Sequence, residues 1–275
     1  MENNGSVYFA RNIADAIYQL KTTSNLQVCG ACTQLEQMPK VALVVRNIEE
    51  LKTIDRKERY VEFGSAVTLS QILELGEKRM PGVLHDAISL TAIPLVRNVA
   101  TIGGNICASG IKRTLFAPLL ALDARLELRS NLETLTVPMS QFNGVPSGYM
   151  LTRIRVPLEE WDVAVFRRIG PAYRIDNSSA SFVFLANTQK DRLLELRIAF
   201  CGAIRFRSRD LENILIGTKL PLVQRDIENM KETASKVFDE VTLNSDSVED
   251  SGSELFKMLK IKFLNLLKYS LEQLT

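Results

Sequence analysis

At 275 residues, with 46% hydrophobic and 24% charged residues, the chain has a globular balance and length enough for two modest domains. A net charge of +2, without basic runs interleaved with aromatics, gives no case for a nucleic-acid partner. No apolar stretch reaches the roughly 18 residues that span a bilayer, and the opening MENNGSVYFARN lacks the regions of a signal peptide. A cytoplasmic chain with reduced thiols and no membrane partner is therefore expected.

Residues 8–21, YFARNIADAIYQLK, carry apolar side chains at helical spacing and predict a short amphipathic helix. LQVCGA then reads as a buried strand running into a turn. VALVVRN (Val41 to Asn47) reads as a second strand, apolar throughout and so covered on both faces. A connection leads to a strand at Tyr60 to Gly64 and a helix that Thr68 or Ser70 caps. PGVLHDAISLTA predicts another helix, ended by Pro94; its His85, the single histidine of the chain, reads as an ordinary packing or surface residue. IGGNICASG is glycine-rich and reads as a turn. FAPLLALDARLELRS reads as helix, turn and strand, and YMLTRIRVPL as a further strand. WDVAVFRRIGPAYRIDNSS marks the passage into a second domain. There SASFVFLANTQ and LLELRIAFCGAI predict an antiparallel hairpin turning at QKD. Helices over roughly Val223 to Glu240 and Ser253 to Leu274 follow, with LNSDSVEDSGS as a loop between them. The last helix mixes apolar residues with lysines, and packing on its own domain is expected rather than a place on a membrane surface.

QVCGACTQLE, Gln27 to Glu36, raises the question of what its two thiols do. A metal knuckle, a redox pair, part of an iron–sulfur site and a phosphate-cradling turn are the alternatives. Tetrahedral zinc usually gathers two close ligand pairs, and Cys107 and Cys201 are remote from Cys29 and Cys32. A thioredoxin-like CxxC expects a helix directly after it, and Pro39 follows too soon for more than a turn or two. A two-iron cluster needs four thiolates, and no further cysteine lies nearby in sequence.

LVRNVATIGGNICASG, Leu95 to Gly110, holds the sharpest candidate for ligand chemistry. Gly103 and Gly104 lack a Cβ, so their backbone can take φ > 0 and admit a ligand closely. Successive N–H groups exposed by such a turn form a nest for an anion such as a pyrophosphate. Thr101 and Asn105 flank the pair with a hydroxyl and an amide that donate to phosphate or ribose oxygens. The bare GG also fits a structural turn.

VRNVATIGGNI, followed by LLALDARLEL, closely resembles the second flavin-binding motif in the FAD subunit of the molybdenum hydroxylases. That family includes the medium subunits of xanthine dehydrogenase and carbon monoxide dehydrogenase. The resemblance continues in order along the chain and implies an α+β fold. A two-subdomain FAD-binding domain of the vanillyl-alcohol oxidase/PCMH-like type is implied over 1–165, with subdomains of about 1–52 and 53–165. A smaller α+β C-terminal domain of the CO dehydrogenase flavoprotein type is implied over 166–275. There RIAFCGAIRFRSRDLENILIG looks like that domain's strand, turn and helix.

The resemblance also reads the CxxC. Gly30, Ala31, Cys32, Thr33, Gln34 and Leu35 stand where the family has a loop resembling A-G-G-T-D-L, whose backbone amides hold the FAD pyrophosphate. Ala31 and Cys32 replace glycines, and Gln34 replaces the acid. Small side chains serve there if φ stays negative, and Cys32 then sits beside the cofactor instead of holding a metal. Thr114 stands where the family often has an aspartate at the flavin, and Ala108 where it often has a polar residue. Arg174 and Asp176 are the nearest candidates for its R-x-x-D-I-A stretch. The implied FAD set is thus the six loop residues with Thr101, Gly103, Gly104, Asn105 and Thr114; no catalytic side chain and no metal ligand is implied.

Membership would make the chain an oxidoreductase subunit that works only with partners. Electrons would arrive from a [2Fe–2S] iron–sulfur subunit and leave through FAD to NAD⁺ or another acceptor. A purine or other N-heterocycle would be hydroxylated on a molybdopterin-binding large subunit. LFKMLKIKF and the region Ile111 to Phe116 are the candidate docking faces. The altered first loop and Thr114 support the alternative of a flavin-free structural or assembly subunit. A free-standing oxidase of the vanillyl-alcohol type would need a larger cap domain.

Overall fold

The computed structural model describes residues 5–35, 37–171, 174–243 and 253–275. Most of the loop expected at LNSDSVEDSGS lies outside them. The chain divides into two compact units: Met1–Pro81, Thr91–Lys112 and Leu122–Glu159 form the first; Gly82–Leu90, Arg113–Ala121 and Glu160–Thr275 form the second.

The first unit begins with β1 (Ser6–Phe9), α1 (Ile13–Thr22), β2 (Gln27–Cys29) and β3 (Val41–Val44). Tyr8 and Phe9, expected in a helix, extend instead, because β1 pairs in parallel with β3 from Ser6↔Val41 to Phe9↔Val44. The helix starts only after Asn12, whose side chain accepts from the Asp15 amide at 2.8 Å and so caps it. β2 pairs in parallel along the other side of β3. The central position of β3 explains its apolar run: Ala42 and Leu43 are fully buried. α1 lays Ile13, Ala16 and Ile17 against Leu43, Val45 and Leu51 in one core cluster. β2 is not the buried strand expected. It is a sheet edge, and Val28 remains 41% exposed.

The rest of this unit is an antiparallel five-stranded sheet in the order β4-β5-β8-β6-β7. Its strands are β4 (Ile54–Arg56), β5 (Tyr60–Gly64), β6 (Arg125–Arg129), β7 (Thr134–Pro138) and β8 (Met150–Pro157). Glu62 on β5 is buried, and Arg155 and Arg153 of β8 meet its carboxylate at 2.7 and 3.2 Å. After β5 comes α2 (Leu69–Leu73), where Thr68 and Gln71 form a capping box. α3 (Gly82–Ser89) belongs to the second unit and ends before Pro94. Pro94 does not end a helix. It opens α4 (Pro94–Arg97), because a missing N–H costs nothing in a first turn. α5 (Ile102–Ile106) then occupies the stretch expected to be a turn. α6 (Phe116–Ala121) belongs to the second unit.

The second unit is built on an antiparallel sheet in the order β12-β11-β10-β9, from β9 (Val163–Ile169), β10 (Ala180–Gln189), β11 (Arg192–Cys201) and β12 (Arg205–Arg207). α7 (Arg209–Asn213), α8 (Gln224–Leu243) and α9 (Ser253–Leu271) complete it. Gln189 pairs with Arg192 across Lys190 and Asp191, whose φ values of 49° and 58° make the tight turn expected at QKD. Phe182 and Phe200 face α8 and α9, forming edge-on pairs with Phe263 at 5.9 and 5.6 Å. On the opposite face Arg197 donates to Ala121 O of α6 at 3.1 Å. The buried pair Arg207–Glu212, 2.8 Å apart, ties β12 to α7. The apolar stripe of α9 is used inside this core, with Leu259, Phe263, Leu267 and Leu271 fully buried. Among the described residues no helix is long and apolar enough to cross a membrane. His85 is a partly buried residue of α3.

Candidate functional site

A cavity of about 540 Å³ opens in the first unit, in the size range of small-molecule sites. One wall runs from the last turn of α1 through β2 to Gly30, a second joins Ser65 and Ala66 to Thr101, Gly103, Gly104 and Cys107, and the third is the segment Val145–Leu151. β2 is exposed because it faces this space.

The second wall is fastened by its backbone. Residues 100–103 run beside 65–69, with Leu69 N donating to Ala100 O at 2.9 Å, Ile102 N to Val67 O at 3.0 Å and Gly103 N to Ser65 O at 3.0 Å. A Cβ on Gly103 would lie 2.6 Å from Ser65 O, so only glycine lets these two backbones approach. Thr101 caps α5 by accepting from Gly104 N at 3.0 Å, and Asn105 N donates to Thr101 O at 3.0 Å. Gly103 and Gly104 are helical, and neither takes the positive φ expected. Nor do they form an amide nest: the N–H groups from Ile102 to Asn105 all have acceptors within the protein.

The first loop is arranged differently. Cys29 O accepts from Val45 N at 3.0 Å and Leu35 N donates to Cys32 O at 3.3 Å. Between them, no acceptor among the described residues meets the amides of Gly30, Ala31, Cys32 or Thr33. Cys32 has φ of 57°, against the expectation of a negative value; it adopts the left-handed conformation that a glycine takes freely. A Cβ on Gly30 would come within 3.0 Å of Thr101 Oγ1, so the two segments meet at that hydroxyl.

Lys21 is the one charged side chain among the described residues lining the cavity, and no carboxylate lines it. Its ammonium, the polar groups of Asn25, Gln27 and Ser147, and the open amide of Gly30 make a surface suited to an anionic, hydrogen-bonding ligand. A cofactor carrying a diphosphate fits that donor set. Tyr149, on the third wall, donates its hydroxyl to Glu133 Oε1 at 2.5 Å, which pushes its pKa up.

Of the residues picked from the sequence, Gly30, Thr101, Gly103 and Gly104 line the cavity together. Ala31, Cys32 and Gln34 are partly buried and Thr33 and Leu35 exposed in the loop behind Gly30. Asn105 is 3% exposed. Thr114 falls in the second unit and is not among the lining residues. Arg174 and Asp176 also belong to the second unit; they pair locally at 3.2 Å, and Asp176 accepts from Ser178 at the turn before β10. Sequence reasoning missed Lys21, a helix-end lysine that nothing in its own segment distinguishes from a solvated one. Among the described residues no group of three or more His, Cys, Asp or Glu could hold a metal.

Residues 3–159 match the family model described as the FAD binding domain in molybdopterin dehydrogenase. The xanthine dehydrogenase FAD-binding subunit of Escherichia coli O157:H7 is 30% identical over 150 residues, covering 54% of this chain and 49% of that one. The chain thus spans about half the length of this relative. The glyceraldehyde dehydrogenase medium chain of Sulfolobus acidocaldarius is 25% identical over 239 residues, 83% of this chain and 81% of that one. Among solved structures, a chain of reconstituted CO dehydrogenase from Oligotropha carboxidovorans superposes with a TM-score of 0.81 at 17% identity, over 98% of each chain. A chain of quinoline 2-oxidoreductase from Pseudomonas putida 86 does so at 0.76 and 17% identity, over 98% of this chain and 97% of that one. These likenesses bear out the α+β fold expected from the sequence.

Proposed function

Since the chain belongs to the family of FAD binding domains in molybdopterin dehydrogenases, we propose that it is the flavin-carrying electron-transfer subunit of a cytoplasmic molybdenum hydroxylase. The observation that carries this reading is the convergence of two sequence segments, at Gly30 and at Thr101–Gly104, on one cavity that no carboxylate among the described residues lines. In the proposal the amides of Gly30 to Thr33 and the Lys21 ammonium hold the diphosphate. Gly103 and Gly104 leave the opposite wall free of side chains. FAD, when bound, takes up and passes on electrons; the protein binds, orients and shields it. The electrons would come from a [2Fe–2S] subunit and go to NAD⁺ or another acceptor. A purine or other N-heterocycle would react on a molybdopterin-binding large subunit. Asn105 and the residues from Gln34 to Leu35 stay in the proposal as outer members of the site.

Purified chain should show the absorption of oxidised flavin and release FAD on denaturation. Co-purification from the native host should recover an iron–sulfur chain and a larger molybdenum chain in fixed ratio. The committed amides of α5 favour a second reading, a structural subunit without flavin. A colourless chain that added FAD cannot reconstitute would establish it.

A further inference from the structure

Two thiols bracket the loop whose amides are open. Cys29 ends β2 and is 4% exposed; Cys32, after Gly30 and Ala31, is partly exposed. Both are free thiols, three residues apart at the end of β2 and in the loop that follows it. A buried cysteine acting as a small apolar filler accounts for Cys29 alone. It does not account for Cys32, which is reachable from solvent and holds a left-handed backbone that disfavours any side chain. Local strain of this kind persists where the surroundings impose it, and an observed outlier points to function. Here the strained residue carries a thiol and follows closely on the strand end that carries the other.

We propose that Cys29 and Cys32 are a redox modification site, oxidised by a low-molecular-weight disulfide of the glutathione type to a bond within the loop that weakens cofactor binding. Cys32, the accessible partner, attacks first. Its thiolate bonds to one sulfur of the disulfide; the S–S bond of the oxidant breaks, and one glutathione thiolate leaves with the electron pair. Cys29 then loses its proton and attacks Cys32 Sγ, expelling the second glutathione. Two protein thiols are oxidised, one disulfide is reduced to two thiols, and the protons released by the cysteines end on those thiols. Burial first, and the neighbouring Cys32 second, push the Cys29 thiol up to about 12. Burial still disfavours the Cys29 thiolate once Cys32 is capped, so the second step quickens as pH rises.

The consequence for the cavity follows from the geometry between the thiols. Gly30 lines the cavity, and a Cβ added to it would come 3.0 Å from Thr101 Oγ1, so the loop has little slack toward α5. A disulfide of about 2.05 Å is far shorter than any non-bonded approach of two sulfurs. Closing it draws Cys32 toward β2 and turns the amides of Gly30 and Ala31. This effect on the cofactor rests on the proposed flavin site; the modification itself does not.

The full chain, loaded with FAD, is to be equilibrated in glutathione buffers of rising oxidised-to-reduced ratio, alkylated, and mapped by mass spectrometry. FAD affinity is measured in parallel by flavin fluorescence. A Cys29–Cys32 disulfide peptide should accumulate, the Kd for FAD should rise about tenfold, and dithiothreitol should reverse both. Cys29→Ser should stop at a mixed disulfide on Cys32, and Cys32→Ser should give neither product. The proposal is overturned if both thiols alkylate at every ratio, or if the wild-type chain retains a mixed disulfide at Cys32. It also fails if both variants lose FAD as the wild type does, which would place the effect on another thiol such as the exposed Cys107. A disulfide that forms without a change in Kd overturns the coupling to the cofactor. A fully reduced chain that binds no FAD overturns the flavin reading instead, while the peptide map still decides the modification.

Discussion

The loop at 30–33 and the helix at 102–106 meet at the Thr101 hydroxyl, yet they commit their amides in opposite ways. In α5 every amide from Ile102 to Asn105 has a protein acceptor, and Gly103 presses its backbone on Ser65. In the loop the amides from Gly30 to Thr33 have none among the described residues, and the backbone is strained at Cys32. A fastened wall faces an open one. The glycine pair is therefore a means of close packing, and the donors available to an anion belong to the segment where cysteine and alanine replace glycine. An open amide is costly to bury without a partner, so this loop gains most from a ligand.

The largest effect that could break this contrast is at Gly103. Gly103→Ala should destabilise the first unit by about 1–3 kcal/mol, because backbone rather than a flexible side chain opposes the new methyl. Thermal unfolding measures it; an unchanged midpoint with FAD affinity lost would make α5 a direct ligand and not a wall. Thr101→Ala comes next. It removes a helix cap and should lower stability by about 1 kcal/mol, while FAD affinity measured well below the melting range changes little.

Lys21→Met tests the open side. The Kd for FAD should rise about twofold to fivefold, within the range of exposed ion pairs, and the difference should shrink in high salt. An unchanged Kd in low salt would remove Lys21 from the site. The smallest effect is expected at Cys32. Cys32→Gly relieves the left-handed strain but gains chain entropy in the unfolded state, so stability should move by less than about 1 kcal/mol. Its FAD affinity should match or exceed that of the wild type. A marked loss would mean that the thiol itself holds the cofactor.

Some elements were legible because their signals are local. Thr68 followed by Gln71 is a capping box readable in one turn of chain, and the KD turn follows from two strands of matching alternation. The apolar run at β3 announced a strand covered on both faces. Three errors share another cause. Tyr8 and Phe9 read as helix because a short apolar run has no decisive period; pairing with β3 settles them as strand. TIGGN reads as a turn by propensity, and becomes a helix because 65–69 holds its backbone. β2 looked buried, and is exposed because it borders a cavity.

By itself the sequence determined which short elements could form, where caps and tight turns fall, and, through one long motif, the family to which residues 3–159 belong. These depend on neighbours a few residues apart or on a pattern kept along the chain. Only the tertiary structure decided which amides remain open, that Lys21 joins the cavity while Thr114 belongs to the second unit, and that Cys32 takes a left-handed backbone beside Cys29. Each of these depends on segments tens of residues apart. A hydrogen bond is committed or left open according to what the fold brings within about 3 Å, a distance the order of residues does not specify.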